Sequence, residues 1–546
     1  LRENRNHWIE NHADSAALCI TLLGFLARLW AASGTFLNPD EALHFRLANQ
    51  SSLVLAYKAS LTAAHPPLFI LLLYCWRALG TSELWLRLPS VLAGTAFCWM
   101  FYKWLAKAAG NPAALIGLLF VAFLRPIVEL SAEVRQYALL LAFLMSALYF
   151  LDEAFAKNTP ARMAAFSLCL YLAMLFHYSA FLFAAALGVY ALFIIFTERS
   201  PFRLAAVWAT GQLGGVALAA ILYKTHLSKL GAGDSRPATQ GWMSDLYLQR
   251  SYFDRAHDNP AAFLLGHSFG VFQYFFGQLA VGLVMGVVFL VGVALLLRGK
   301  SFPADRVSSS RERHCARRLG VFLVVPFAVA GGISLAHLYP YGGVRHVAFL
   351  IIPAVAGVSV AMAWLASNRC GRAFIITAIV ILACIVFGKP RQPRMERADQ
   401  GRKHMTDAVN FIEANIKPSD LIFTDYQSDL ILGHYLCQQR PISWEVTAAN
   451  FEQFSCDGRQ IVASDFRAAW MFGADNFPRE WQRVGQAYNL KPGQTVWIVQ
   501  AGWGIDLPED LRRHYSEFRG LNFESFGKNI QIFKMIVGQR MPAVAQ

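Results

Sequence analysis

Hydrophobic residues run in stretches of about twenty through roughly the first 390 positions of a 546-residue chain, and polar residues gather between the runs. Read by length, the runs give about eleven membrane spans, near 16–36, 84–104, 112–128, 136–151, 162–178, 180–197, 204–223, 279–297, 319–338, 346–366 and 373–387. The first run is too long for the apolar core of a signal peptide and is expected to remain as an anchor. After about 388 the pattern changes. "KHMTDAVNFIEANIK" predicts an amphipathic helix closed by Pro418, "DLIFTD" a strand and "SDLILGHYLCQQ" a helix. "TVWIVQAG" predicts a buried strand and "GKNIQIFKM" a final alternating one. Alternating helices and strands over about 155 residues predict a small α/β domain with its own core. The chain therefore reads as a polytopic α-helical membrane protein with a C-terminal α/β domain, divided into 1–389 and 390–546.

Composition agrees. Hydrophobic residues make up 56% and charged residues 15%, against about 25% charged in soluble proteins. The net charge of +14 does not imply a nucleic-acid partner, because the basic residues are scattered among loops and do not share one face. They set a topology instead. Arg2, Arg5, Lys103, Lys107, Lys157, Arg162, Arg199, Arg203, Arg369 and Arg372 fall in every second loop, and Arg298 to Arg318 is the most basic segment. Short basic loops stay in the cytoplasm, so the tail is expected outside. Apolar stretches in the first outer segment (37–83) suit helices lying in the interface. A later outer segment (224–278), polar and then aromatic, suits a loop that docks on the membrane. Of nine cysteines only Cys437 and Cys456 lie in the tail; a disulfide and two separate thiols both stay open. No cysteine or histidine cluster has zinc-site spacing.

Candidate chemistry begins at "FLNPDEALHF". Asn38 suits a helix cap, Pro39 the first helical position and Glu41 a capping box, so Asp40 and Glu41 have a purely structural reading. Other polar residues fall at the same expected membrane face. Arg28 lies inside the first span, where a charge is costly; snorkelling is its plain alternative. His65 opens "HPPLF". Glu129, Glu133, Arg135 and Tyr137 follow the third span, His177 and Tyr178 a later one, and Arg345 and His346 stand after two glycines. Carboxylates beside cations suit a base that takes a proton from a hydroxyl or amine while arginines hold a phosphate.

"NPDEALHF", "HPPLFILLLYCW", "SELWLRLPSVLAG", "EVRQYALL" and "GGVRHVAFLIIP" together resemble the GT-C-fold glycosyltransferases. More narrowly they resemble the superfamily of protein O-mannosyltransferases and lipid A aminoarabinose transferases. The likeness covers about 1–390, and the tail resembles the periplasmic domain of the bacterial branch. It implies a polyprenyl-phosphate sugar donor, a lipid, glycan or protein acceptor, a site on the outer face of the cytoplasmic membrane, and inversion at the anomeric carbon. It implies Asp40 as the base, Glu41 as its support, and Arg135 and Arg345 near the donor phosphate. His65 stands where relatives carry His or Lys; Arg28, Glu133, Tyr137 and His346 join it as substrate-binding candidates. Ala64 departs from the Glu-Lys pair of the aminoarabinose branch, which argues against that sugar and weakens any transfer of a metal site. No cofactor is assigned, and a divalent metal stays open. A transporter or flippase for a lipid-linked saccharide is the rival from another class. It would place polar groups near the membrane midplane.

Overall fold

The computed structural model describes residues 2–198, 200–230, 248–300, 310–365, 370–387, 399–437, 442 and 444–538. Arg199, Arg369, residues 301–309 of the basic 298–318 loop and residues 231–247 of the 224–278 segment lie outside the described residues. The chain forms two compact units. One comprises Leu1–Ala32, Leu61–Phe69 and Arg87–Arg391; the other comprises Ser33–Ser60, Ile70–Leu86 and Gln392–Gln546.

The first unit is helical. Eight described helices are long and apolar enough to cross a membrane: His12–Ala32, Glu83–Ala109, Tyr137–Lys157, Ala180–Glu198, Phe202–Leu227, Leu279–Leu297, Arg313–Leu335 and Arg345–Leu365. The remaining three expected spans fall on helices Asn111–Phe123, Pro160–Phe176 and Cys370–Phe387. Helix Ile351–Leu365 is apolar all round and almost wholly buried, as the central helix of a bundle must be. It meets Leu279–Leu297 through small residues: a Cβ at Gly292 would lie 2.2 Å from the Gly357 carbonyl oxygen. Such close backbone approach is how helices associate where lipid removes the hydrophobic drive. Residues 260–276, expected as an aromatic loop, are instead the helix Pro260–Phe276. Asn259 caps it by accepting from the Ala261 and Ala262 N–H groups, and Gly277 ends it at φ 72°.

At one end of the bundle, cations meet carboxylates of the same chain. Arg318 pairs with Asp152 and Glu198 at 3.2 Å each, and Lys107 with Glu153 at 2.6 Å.

The second unit holds a seven-stranded mixed sheet of order β2-β3-β4-β1-β5-β7-β6. The strands are β1 Leu421–Thr424, β2 Glu445–Val446, β3 Phe451–Cys456, β4 Arg459–Ser464, β5 Thr495–Ala501, β6 Phe523–Ser525 and β7 Ile530–Ile536. β1 lies parallel between β4 and β5, with Ile422 opposite Ile461 and Trp497. All four β1 residues are buried, as a central parallel strand requires. Helices Phe477–Ala487 and Leu507–His514 cover one face through Phe477, Trp481, Val484, Leu507 and Leu511. Cys437 and Cys456 are joined in a disulfide with a Cα–Cα distance of 5.2 Å.

Candidate active site

The acidic pair opens helix Pro39–Ala48 in the second unit. Asn38 is extended (φ −73°, ψ 167°), and its Oδ1 accepts the Glu41 N–H at 3.0 Å. Glu41 Oε2 accepts the Asn38 N–H in return, also at 3.0 Å. Two orphan donors of the helix start are thereby satisfied. Glu41 is fully buried by this task, and Asp40 is half-buried at the second helical position. The cap therefore does not use the Asp40 carboxylate. His44 Nδ1 lies 2.7 Å from the Asp40 backbone oxygen and turns the next face of the helix inward.

This helix is seated on helix Tyr426–Leu436 of the α/β fold. Arg46, in its last turn, donates to Asp429 Oδ2 at 3.0 Å, pairs with Glu452, and lies 4.2 Å over the Trp444 ring. Phe45 meets His434 edge-on at 4.7 Å. Ahead of the helix, the Leu37 N–H donates to Tyr435 Oη at 2.9 Å, and that hydroxyl donates to Glu83 at 3.0 Å. Phe36 and Gln400 exchange two further hydrogen bonds. Gly502, at φ +134° after β5, completes the seat: a Cβ there would lie 2.6 Å from Gln427 Oε1 and 3.1 Å from Pro39 Cγ. In open α/β sheets the carboxyl edge of the parallel strands is the usual ligand crevice. Here Pro39 of the same chain packs against it. Burial pushes the Asp429 carboxyl up to about 7, against the opposing pull of Arg46. Burial likewise pushes Asp425, at the end of β1, up to about 6. Arg46 and Asp429 were not among the sequence candidates. They lie 383 residues apart, and no local pattern links them.

The remaining candidates belong to the first unit. Arg135 and Arg345 flank one ring, their Cζ atoms 5.6 Å and 5.9 Å from the Tyr137 centroid. His65 lies 6.5 Å from Tyr137 and 5.0 Å from His177. Ser90 Oγ donates to the Arg135 carbonyl at 2.9 Å and fixes the turn that carries Glu133 and Arg135. The Glu133 carbonyl accepts the Arg135 N–H at 2.8 Å. His346 is buried, and its carbonyl accepts from Tyr339 Oη at 3.2 Å. The glycines before Arg345 serve protein packing: at Gly342, φ +116°, a Cβ would meet His267 at 2.7 Å.

Arg28 has a different environment. It is fully buried, and it donates to the carbonyls of Gly24 at 3.0 Å, Ala122 at 2.9 Å and Val121 at 2.8 Å. Its charge meets the negative end of helix Asn111–Phe123. These contacts favour a structural role over the expected substrate contact. Among the described residues, no group of three or more His, Cys, Asp or Glu side chains is arranged to hold a metal.

The model of the family described as dolichyl-phosphate-mannose-protein mannosyltransferase matches residues 64–226. That segment contains His65, Arg135, Tyr137 and His177. Among solved structures, apo ArnT from Cupriavidus metallidurans is similar at TM-score 0.56 and 12% identity, over 97% of this chain and 100% of that one. The same protein bound to undecaprenyl phosphate is similar at TM-score 0.54 and 13% identity, over 96% and 99%. No curated protein matches. The chain thus has the fold of ArnT, and its residues 64–226 are similar to the mannosyltransferase family.

Proposed function

We propose that the protein moves a sugar from a polyprenyl-phosphate donor to a lipid, glycan or protein acceptor at the outer face of the cytoplasmic membrane. The observation that carries the donor class is the pair of guanidinium groups, Arg135 and Arg345, about one buried tyrosine ring. Two guanidinium groups beside one ring suit a phosphate, whose oxygens match their fork geometry. The similar structure bound to undecaprenyl phosphate supports the same class.

In this reading the Asp40 carboxylate takes the proton of the acceptor hydroxyl or amine. The acceptor heteroatom then attacks the anomeric carbon from the face opposite the phosphate. The bond from that carbon to the phosphate oxygen breaks, its electron pair stays on the oxygen, and the configuration inverts. Arg135 and Arg345 stabilise the charge that grows on the leaving phosphate. Glu41 keeps the helix start in shape, and the helix N-terminus favours an ionised Asp40. The α/β domain lies outside the membrane and holds the acidic helix in place.

The test is transfer by purified protein from a radiolabelled polyprenyl-phosphate sugar. Asp40→Asn is expected to lose about 10²–10⁴-fold in rate while the protein keeps its melting temperature. Unchanged transfer by that variant removes Asp40 as base. Lipid flipping by the wild type without transfer supports the transporter reading.

A further inference from the structure

His177 ends helix Pro160–Phe176 and is 2% exposed. Its tautomer is fixed by the backbone. The Ser179 N–H donates to His177 Nδ1 at 3.0 Å, and an amide nitrogen can only donate, so Nδ1 is an acceptor. The proton of the neutral ring is then on Nε2. Ser179 Oγ, 2.8 Å from the same Nδ1, adds a second anchor on that side. Nε2 itself has no hydrogen-bond partner among the described residues. Buried polar groups are nearly always paired, and an exception calls for an explanation.

A second unpaired group adjoins it. The Tyr137 hydroxyl is buried without a partner among the described residues, and the Tyr137 ring centroid is 5.0 Å from that of His177. Arg135 and Arg345 face the same tyrosine ring, and the His65 ring packs on His177. Two neutral donors thus lie unused between two cations. A group with several acceptor oxygens would satisfy both donors, and negative charge on it suits the neighbouring guanidinium groups.

We infer that His177 is a substrate-binding residue whose Nε2–H donates a hydrogen bond to a phosphate oxygen of the lipid-linked donor. This rests on the proposed function and adds a residue to its phosphate site. His177 works as a neutral donor. Its Nδ1 accepts the Ser179 N–H and so carries no proton, which leaves the ring uncharged with its proton on Nε2. It therefore does not protonate the leaving group. The acceptor proton goes to Asp40, and the electron pair of the broken bond stays on phosphate. The hydrogen bond from Nε2 strengthens as that charge grows, with no proton transferred. A third cation at this place would repel Arg135 and Arg345; a neutral donor does not.

The test is undecaprenyl phosphate binding to purified full-length protein, wild type against His177→Asn and His177→Gln. The Asn amide oxygen replaces the Nδ1 acceptor beside Ser179 and removes the Nε2 donor. The longer Gln places an amide N–H near the Nε2 position. His177→Asn is expected to weaken binding about 10–100-fold, the range for a lost hydrogen bond to a charged group. His177→Gln is expected to stay within about 5-fold of wild type. The ratio of wild-type to Asn affinity is expected to be constant from pH 5.5 to 8, because the His177 ring that accepts the Ser179 N–H at Nδ1 donates from Nε2 as a neutral group. Equal binding by folded His177→Asn overturns the inference, as does a ratio that changes with a midpoint near 6.5. If the Asn variant does not fold, His177→Gln decides: binding near wild type supports the inference, and loss of binding in a folded Gln variant overturns it. A wild type that does not bind undecaprenyl phosphate removes the donor reading itself, which is a separate result.

Discussion

The Arg28 guanidinium closes the end of helix Asn111–Phe123 by donating to Val121 and Ala122. A cation at a helix C-terminus inside an apolar bundle serves packing, because those carbonyls have no water to turn to. Arg28→Met is therefore expected to lower the thermal midpoint in detergent, by the several degrees that about 2–4 kcal/mol implies, with the KM for donor unchanged in the folded fraction. A raised KM with unchanged melting would return Arg28 to the substrate site. The capping box of Asn38 and Glu41 was legible because both partners lie within four residues. The charge inside the first span was legible too, but its partner was not: helix-end carbonyls carry no sequence signature. His177 was visible as a residue at the outer turn. Its unpaired Nε2 depends on Ser179 turning its N–H inward, which only coordinates reveal.

Among the elements, eight of the eleven expected spans coincide with described helices long and apolar enough to cross, since a span needs only length and composition. The β3–β4 hairpin was missed although its turn was announced. Asp457 and Gly458 sit at φ 49° and 79°, the two-residue turn that Asp-Gly favours. Glu452, Gln453, Arg459 and Gln460 broke the apolar pattern and hid the strands. Helix Pro260–Phe276 was masked by its aromatic run, while the Asn-Pro cap and the terminal glycine pointed to it. The contact between the acidic helix and helix Tyr426–Leu436 gives a prediction at this scale. Burial raises the folded pKa of Asp429 above its unfolded value. The folded state therefore holds that proton more tightly, and the stabilisation is full below the unfolded pKa and lost as pH rises through about 7. Thermal midpoints in detergent should be higher at pH 6 than at pH 8, by a share worth roughly 1 kcal/mol. Asp429→Asn should remove that share. A pH slope identical in the two proteins would rule out Asp429 as its source.

For the whole molecule, the proposed orientation is tested by labelling introduced cysteines in intact cells or spheroplasts. A cysteine at position 310 is expected to be protected from an impermeant reagent, and one at position 450 accessible to it. Access at 310 would invert the scheme and move the acidic helix to the wrong face. The change of pattern after about 388 marked the start of the tail, but the compact unit that holds the tail also takes in Ser33–Ser60 and Ile70–Leu86. That the acidic helix is packed with the tail was not legible, because the contacts span hundreds of positions and involve ordinary residues such as Tyr435 and Gln400. Those separations have a consequence for biogenesis. Arg46 meets Asp429 across 383 residues, and Leu37 meets Tyr435 across 398. A ribosome must therefore deliver every membrane run between them before the seat of the acidic helix exists. Throughout insertion the bundle can meet lipid while its proposed base is not yet held. Completion of the last domain, sealed by the Cys437–Cys456 bond, becomes the step that seats the acidic helix.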